Sequence, residues 1–324
     1  MRTVIVEARG GSQVLQLVER PTPEPGVGEV LIAVEAMGVN WADVMQREGH
    51  YPDVLPLPYA PGHEVVGRIQ AVGEGVSDHQ VGQRVAAIVP VGGYAEYALA
   101  PAVLTVPVPA ALAPGVALAL LVQGLTAFLL AEQTVKAGDR VLVTAAAGGV
   151  GSLLLQVVRL FGAELVVGAA GGPEKCQLVE KFGAQALDYR QPDWATTARE
   201  RVGALGFNCV LDAVGGATRV AAYGLLADYG RFVLYGGLAA VEEPWPGGWE
   251  PLVMRNQSVH GYAITRWIAA HPEFVSRATA QLGAWVEQGV LEACCYPAYP
   301  LAEVQRAHQE MEGRVTQGKV LLVP

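Results

Sequence analysis

The spacing of apolar positions changes character once along the chain. Up to about residue 110 the apolar residues fall in short, β-branched runs: "TVIVEA" (3–8), "VLIAVEAMGV" (30–39), "EVVGRIQAVG" (64–73) and "RVAAIV" (84–89). Gly- and Pro-bearing stretches such as "PTPEPGVGE" and "GEGVSDHQVGQ" separate them. That is the pattern of short strands joined by turns, and it predicts a compact, barrel-like antiparallel unit. Residues 114–132 predict a helix. From Asp139 onward strand-like and helix-like runs alternate. "RVLVTA" (140–145), "ELVVGAA" (164–170), "QALDY" (185–189), "FNCVLDAVG" (207–215) and "RFVLYGG" (231–237) predict strands. Between them "GGVGSLLLQVVRLFG" (148–162), "PEKCQLVEKFG" (173–183), "WATTARERVG" (194–203) and "GATRVAAYGLLADYG" (216–230) predict helices. Alternation of this kind means a doubly wound parallel sheet with helices on both faces, an α/β fold. "SVHGYAI" (258–264) reads as a further strand, "PEFVSRATAQLGAWVEQG" (272–289) as a helix, and "KVLLVP" (319–324) as a final strand.

Composition narrows the class. The 324 residues suffice for two domains, and 52% hydrophobic against 16% charged residues gives each a large core. The net charge is −9 and basic runs are absent, so nothing in the sequence points to a nucleic-acid surface. The first residues, "MRTVIVEARGG", lack the apolar core of a signal peptide. The apolar stretch 116–130 is broken by Gln123, Gly124 and Thr126, which argues against a membrane span. A cytoplasmic protein with no membrane partner is expected. Of the four cysteines, none forms a C-x-x-C pair; Cys294 and Cys295 are adjacent, readable as a redox pair or as two residues on opposite faces of a strand.

The informative local feature is "VLVTAAAGGVG" (141–151). A turn from a strand end into a helix start leaves backbone N–H groups at the positive end of the helix dipole, a ready site for phosphate. Ala146, Gly148 and Gly151 put small residues at the places where a dinucleotide-binding turn needs them, and Gly149 and Val150 lie between. The end of the next predicted strand discriminates between cofactors. An NAD-binding fold places Asp or Glu there. This chain has Ala169, Ala170, Gly171 and Gly172, then Lys175, a cation suited to a 2′-phosphate. NADPH is therefore favoured over NADH.

Four further stretches accompany "AAAGGVG": "GVNWADVMQREGHYP", "AVGEGV…VGQRVAAI…GGYAEY", "PGHE" and "GRVTQGKVLLVP". With them the whole chain resembles the zinc-independent, ζ-crystallin-like quinone oxidoreductases of the medium-chain dehydrogenase/reductase superfamily. The resemblance implies a GroES-like β-barrel catalytic domain (1–118 and 265–324), a Rossmann NADP-binding domain (119–264), and an active site in the cleft they form. It places Asn40 and Tyr51 in that cleft, as hydrogen-bond donors to an acceptor carbonyl. It places Gln123 and Thr126 near the nicotinamide ribose, and Tyr189 and Arg314 with Lys175 at the 2′-phosphate. Val214, Gly215 and Gly216, then Tyr235, Gly236 and Gly237, are strand ends at the edge where the cofactor lies. In the alcohol-dehydrogenase branch a catalytic zinc takes a Cys, the His of "GHE" and a second Cys. Here those places hold Asn40, His63 and Gln123, so no metal is expected. His63 is then a structural residue or a substrate contact. A second tyrosine common in the family is replaced among Trp41, Val44 and Met45. The region of "SVHGYAI" implies a homodimer joined edge to edge. "VEEPWPGGWEP" (241–251) lines the cleft or packs at a subunit contact; the sequence does not choose between them.

The implied activity is metal-free hydride transfer from NADPH to a quinone or activated enone. Two alternatives share parts of the pattern. An enoyl-thioester reductase would have the same fold and cofactor, but no basic cluster for its substrate's tail stands out. A non-catalytic NADPH-binding structural or redox-sensing protein could dispense with Asn40 and Tyr51, which this chain keeps.

Overall fold

The computed structural model describes residues 1–237 and 248–324, so most of the Trp- and Pro-rich stretch 241–251 lies outside the described residues. The chain divides into two compact units, one of residues 1–124, 271–283 and 293–324, the other of residues 125–270 and 284–292.

The first unit is β-rich. Strands β1 (Arg2–Val6) and β2 (Leu15–Glu19) form an antiparallel pair. Strand β3 (Glu29–Val39) is the spine of a larger sheet with β4 (Glu64–Val72), β5 (Arg84–Ile88), β6 (Tyr97–Pro101) and β7 (Thr105–Pro107). The C-terminal strands β14 (Tyr299–Pro300) and β15 (Val320–Val323) complete it. The order is β14-β15-β3-β4-β5-β7, with β6 also paired to β3. Helix α1 (Trp41–Glu48) follows β3 directly, and α2 (Pro114–Leu118) begins at a proline, whose fixed φ suits a first helical turn. The core of Val4, Val30, Ile32, Met37, Val65, Ile69 and Leu322 alternates along these strands as one inward face requires.

The helix predicted over 114–132 runs from α2 through a π-helical turn (Ala119–Gln123) into α3 (Gly124–Thr134). This span of 21 residues is apolar and long enough to cross a membrane, but 78% of its most apolar window is buried inside the fold.

The second unit is a parallel sheet. Its strands are β8 (Arg140–Val143), β9 (Leu165–Ala170), β10 (Gln185–Asp188), β11 (Phe207–Asp212), β12 (Leu226–Leu234) and β13 (Ser258–Gly261). Helices α4 (Gly149–Leu160), α5 (Pro173–Lys181), α6 (Trp194–Val202) and α7 (Gly216–Tyr223) connect them, and α8 (Glu250–Met254) precedes β13. The order β10-β9-β8-β11-β12-β13 reverses direction between β8 and β11, so the turn after β8 opens at the topological switch point. The helix predicted over 216–230 is shorter than its apolar pattern: it ends at Tyr223. Leu226 and Ala227 are buried in β12, where pairing with β11 outweighs helical spacing.

After β13 come α9 (Ile264–Ala270), α10 (Glu273–Glu287) and α11 (Val304–Glu312). The end of α10 joins the second unit through Trp285, whose ring lies 5.7 Å from Phe128 and 6.2 Å from Phe161. Cys295 forms an isolated bridge with Lys319, and all four cysteines are free.

Candidate functional site

In the second unit the turn after β8 is held from below. Thr144 Oγ1 donates to buried Asp212 Oδ1 (2.7 Å) and accepts from the N–H of Ala213 (3.1 Å). Asp212 also accepts from the N–H groups of Val214 (3.2 Å) and Gly215 (3.3 Å), and pairs with Arg219 (2.9 Å). Tyr235 O–H donates to Thr144 O (3.4 Å), and burial pushes its phenol up. One carboxylate thus ties the ends of β8 and β11 to α7, and Tyr235 links the end of β12 to Thr144. Ala145 takes a left-handed φ of 50°, and the N–H of Gly148 returns to its carbonyl (2.9 Å). A Cβ at Gly151 would overlap Ala145 O and stand 2.8 Å from Ala146 Cα, so only glycine lets α4 start this close to β8. The N–H groups of Gly149, Val150 and Gly151 begin α4 and have no intrahelical acceptor, which suits a pyrophosphate.

Along the same carboxyl edge, β9 ends at Ala170 and β10 at Asp188. Asp188 Oδ1 accepts from the N–H groups of Gly172 (2.9 Å) and Arg190 (3.0 Å). Burial raises its pKa, but those N–H groups and the Arg190 charge outweigh it, and the carboxyl is held below its ordinary range. Gly172 has φ 99°, and a side chain there would overlap the Arg190 guanidinium. Tyr189 O–H stands 3.0 Å from where a Cβ at Gly171 would lie. Tyr189 therefore stands beside Gly171 and Arg190 beside Gly172, and Lys175 follows them in the first turn of α5. The carboxylate an NAD site would turn to the ribose comes instead from β10, and it is spent on backbone and on Arg190. Arg190 is a contribution the motif reading missed; its proximity to Gly172 depends on a register only the sheet supplies.

In the first unit Asn40 caps the junction of β3 and α1, its N–H donating to Asp43 Oδ2 (2.7 Å). Its side-chain Nδ2 donates to Glu64 Oε1 (2.6 Å), and its Oδ1 accepts from Lys319 Nζ (3.1 Å) and Gln123 Nε2 (3.4 Å). Lys319 and Glu64 are an ion pair with no exposure on either side chain. Removing one partner of such a pair costs about 3–5 kcal/mol. Tyr51 follows the end of α1, its N–H donating to Met45 O (3.2 Å). Arg314 takes a left-handed φ of 55° just past α11.

His63 continues the polar cluster. Its Nδ1 donates to Asp43 Oδ1 (2.6 Å); Asp43 Oδ2 accepts from Tyr94 O–H (2.8 Å); Tyr94 oxygen lies 3.2 Å from His308 Nε2. His308 Nδ1 faces Arg47 Nη1 (3.3 Å), and Arg47 is paired with Glu312. Arginine only donates, so His308 Nδ1 accepts and Nε2–H donates to Tyr94. Burial pushes Asp43 up, but the hydrogen bond and charge of His63 and the Asn40 N–H pull it further down, leaving a net lowered pKa. His63 is lowered by burial and raised further by Asp43, for a net upward shift. His308 is pushed down to about 4, chiefly by burial, against the pull of Asp43 and with the push of Arg47.

Comparison with known proteins agrees along the whole chain. Residues 26–110 match the alcohol dehydrogenase GroES-like domain, and residues 149–280 match the zinc-binding dehydrogenase family. Quinone oxidoreductase 1 of Escherichia coli (strain K12) is 32% identical over 325 residues, covering 97% of each chain. The chain belongs to the zinc-independent quinone oxidoreductases of the medium-chain dehydrogenase/reductase superfamily. The synaptic vesicle membrane protein VAT-1 homolog of Rattus norvegicus is also similar, 32% identical over 342 residues, covering 100% of this chain and 84% of its own. The crystal structure of Escherichia coli quinone oxidoreductase complexed with NADPH has a TM-score of 0.93 at 30% identity, covering 100% of both chains.

The zinc-binding branch of this superfamily poses a test of fit. At the three ligand places the quinone oxidoreductase chain has two amides and His63. Asn40 Oδ1 is taken by the Lys319 ammonium, and the Lys319–Glu64 pair already sets a fixed cation beside it. Two amides and one imidazole, with an ammonium among them, do not fit Zn²⁺. Asp43, Glu64, Tyr94 and Lys319 lie inside the quoted stretches and His308 outside them, but the pairing of Glu64 with Lys319 spans 255 positions.

Proposed function

We propose that the chain is an NADPH-dependent reductase of quinones and activated enones that works without metal. The observation that carries this reading is that the cation at Asn40 Oδ1 is Lys319, so the first unit orients an acceptor instead of ligating a metal. Similarity over the full length to a quinone oxidoreductase complexed with NADPH supports the cofactor. We assign residues 1–118 and 265–324 to the catalytic part and 119–264 to the NADP-binding part, a division that departs from the two compact units at 119–124, 265–270 and 284–292.

Bound NADPH supplies a hydride. Quinones and activated enones are already electrophilic, so the protein's task is alignment and provision of a proton. Asn40 gives one Nδ2–H to Glu64 and has a second for an acceptor oxygen. Tyr51 offers an O–H on an aromatic body that packs against a quinone ring. Gly148, Gly149, Val150 and Gly151, with Ala146 beneath them, offer backbone and dipole to the pyrophosphate. Gly171, Lys175, Tyr189 and Arg314, joined by Arg190, serve the 2′-phosphate, where arginine grips bidentately. Gln123, Thr126, Val214, Tyr235 and Gly236 serve the nicotinamide half. We further read the protein as cytoplasmic and homodimeric, with no nucleic-acid or membrane partner. The acidic net charge supports the absence of a nucleic-acid partner, and the place of β13 at the edge of its sheet among the described residues supports the homodimer.

The test is loss of reduced-nicotinamide absorbance, using chelator-treated protein with an ortho-quinone, a para-quinone, an enone and an enoyl-CoA. Turnover of quinones, faster with NADPH than NADH, is expected. Loss of activity on chelation would overturn the metal-free reading, and preference for enoyl-CoA would move the substrate class.

A further inference from the structure

Four buried side-chain polar atoms of the first unit make no hydrogen bond among the described residues, Trp41 Nε1, Gln46 Oε1, Tyr59 Oη and Gln123 Oε1, and of these Gln123 belongs to the cluster around Asn40. Gln123 is 7% exposed, and its Oε1 makes no hydrogen bond among the described residues. Its Nε2 lies 3.4 Å from Asn40 Oδ1. Which end of each amide points where is decided by Lys319. An ammonium has donors only. Lys319 Nζ lies 3.1 Å from Asn40 Oδ1 and 3.4 Å from Val39 O, and pairs with Glu64 Oε1. The Asn40 atom facing it must therefore be the oxygen. Asn40 Nδ2 then faces Glu64 Oε1 (2.6 Å), which accepts. Turned round, the amide would set N–H against ammonium and oxygen against carboxylate. Glu64 is itself pinned, its Oε2 accepting from the N–H of Val122 (3.1 Å). With Asn40 Oδ1 fixed, the Gln123 atom facing it must be Nε2. Gln123 Oε1 is left as a buried acceptor awaiting a donor, and a buried acceptor left unmade is costly.

We propose that Lys319 is a positioning residue that sets the polarity of the Asn40–Gln123 pair, so that the site presents an acceptor at Gln123 Oε1 and selects ligands bringing a hydroxyl to it. The polarity follows from the hydrogen bonds alone; the nature of the ligand rests on the quinone-reductase reading. A quinone has no donor, whereas its hydroquinone has two, and the nicotinamide ribose also carries hydroxyls. The shared chemistry is a hydroxyl donor.

Binding titrations test this without turnover. The probes are a 1,4-hydroquinone and its dimethyl ether, each with NADP⁺ present, and NADPH alone. Wild-type protein is expected to prefer the hydroquinone over the ether by about tenfold, the worth of one hydrogen bond. Gln123→Met, which keeps the shape and removes the acceptor, is expected to erase that preference. Lys319→Met is expected to erase it as well, although Lys319 is fully buried, while Lys319→Arg keeps most of it. Should Lys319→Met fail to fold, the double variant Glu64→Gln/Lys319→Gln replaces the ion pair with neutral amides that no longer enforce a direction. If NADPH affinity falls in the Gln123 and Lys319 variants while the hydroquinone preference stays, the inference holds and the hydroxyl is the cofactor's. Loss in Gln123→Met with full retention in the Lys319 variants would overturn the role of Lys319. No change in any variant would overturn the acceptor at Gln123. Protein that binds NADPH but reduces no quinone would fail the functional reading and leave these binding results standing.

Discussion

Replacing His308 by glutamine isolates one buried proton site from the rest of the acid response. His308 sits between Arg47 and Tyr94, with Asp43 and Glu312 the nearest carboxylates. Its imidazole ordinarily titrates at 6.5, and in the fold it is pushed down to about 4. The unfolded chain thus takes up a proton as the pH falls through 6.5, and the folded protein refuses it until about 4. Stability is lost across that window and the loss levels off below it. A gap of this size is worth about 3 kcal/mol, most of it already lost by about pH 4.5. For a unit of this size that is roughly 6–12 °C in Tm. Glutamine offers an acceptor to Arg47 and a donor to Tyr94, as the neutral imidazole does, and does not titrate. Melting curves followed by circular dichroism between neutral pH and about pH 4.5 should show Tm falling less in His308→Gln by that margin. Asp43 and Glu312, both held low, also lose stability as the pH falls, but they remain in both proteins. Equal slopes for the two proteins would refute the assignment of His308 as a buried neutral imidazole.

Gly151→Ala should abolish NADPH binding and lower the melting temperature, since the added methyl overlaps Ala145 O; unchanged binding would mean the turn is not where the pyrophosphate lies. Lys175→Ala and Arg190→Ala should each weaken NADPH by about tenfold or more, the worth of a charged hydrogen bond, and leave NADH nearly unchanged in fluorescence titrations. Equal losses for both cofactors would remove these residues from the 2′-phosphate. Tyr51→Phe should lower kcat/KM for a para-quinone by roughly tenfold with NADPH affinity intact, and no change would leave Tyr51 as packing.

What could be read from sequence was whatever depends on neighbours in the chain. The glycine turn, the alternation after Asp139 and the missing carboxylate at the end of β9 are local, and the sheet order placed them at one edge. The helix over 216–230 was overextended because Leu225, Leu226 and Ala227 suit a helical face as well as a strand, and only pairing with β11 decides. The polar cluster was hidden for a different reason. Asn40 was visible, but its partners Glu64, Gln123 and Lys319 lie 24, 83 and 279 positions away. Hydrogen-bond satisfaction among them is a property of the folded unit, and no spacing announces it. Asp188 has no local signal, because the carboxylate of an NAD site belongs at the end of β9, whereas this fold borrows one from β10.

The closing of the first sheet by β15 ties the chemistry to the order of synthesis. β3 emerges from the ribosome early, yet its partner strand β15 and the ammonium beside Asn40 are made about 280 residues later. Residues 125–270, a continuous stretch, are all present well before that. A nascent chain therefore has the glycine turn before α4 well before the hydrogen bonds around Asn40 can be completed. A chain cut short by even the final strand would lack the neighbours that hold Lys319 in place. Only a chain made past Lys319 carries the whole polar cluster.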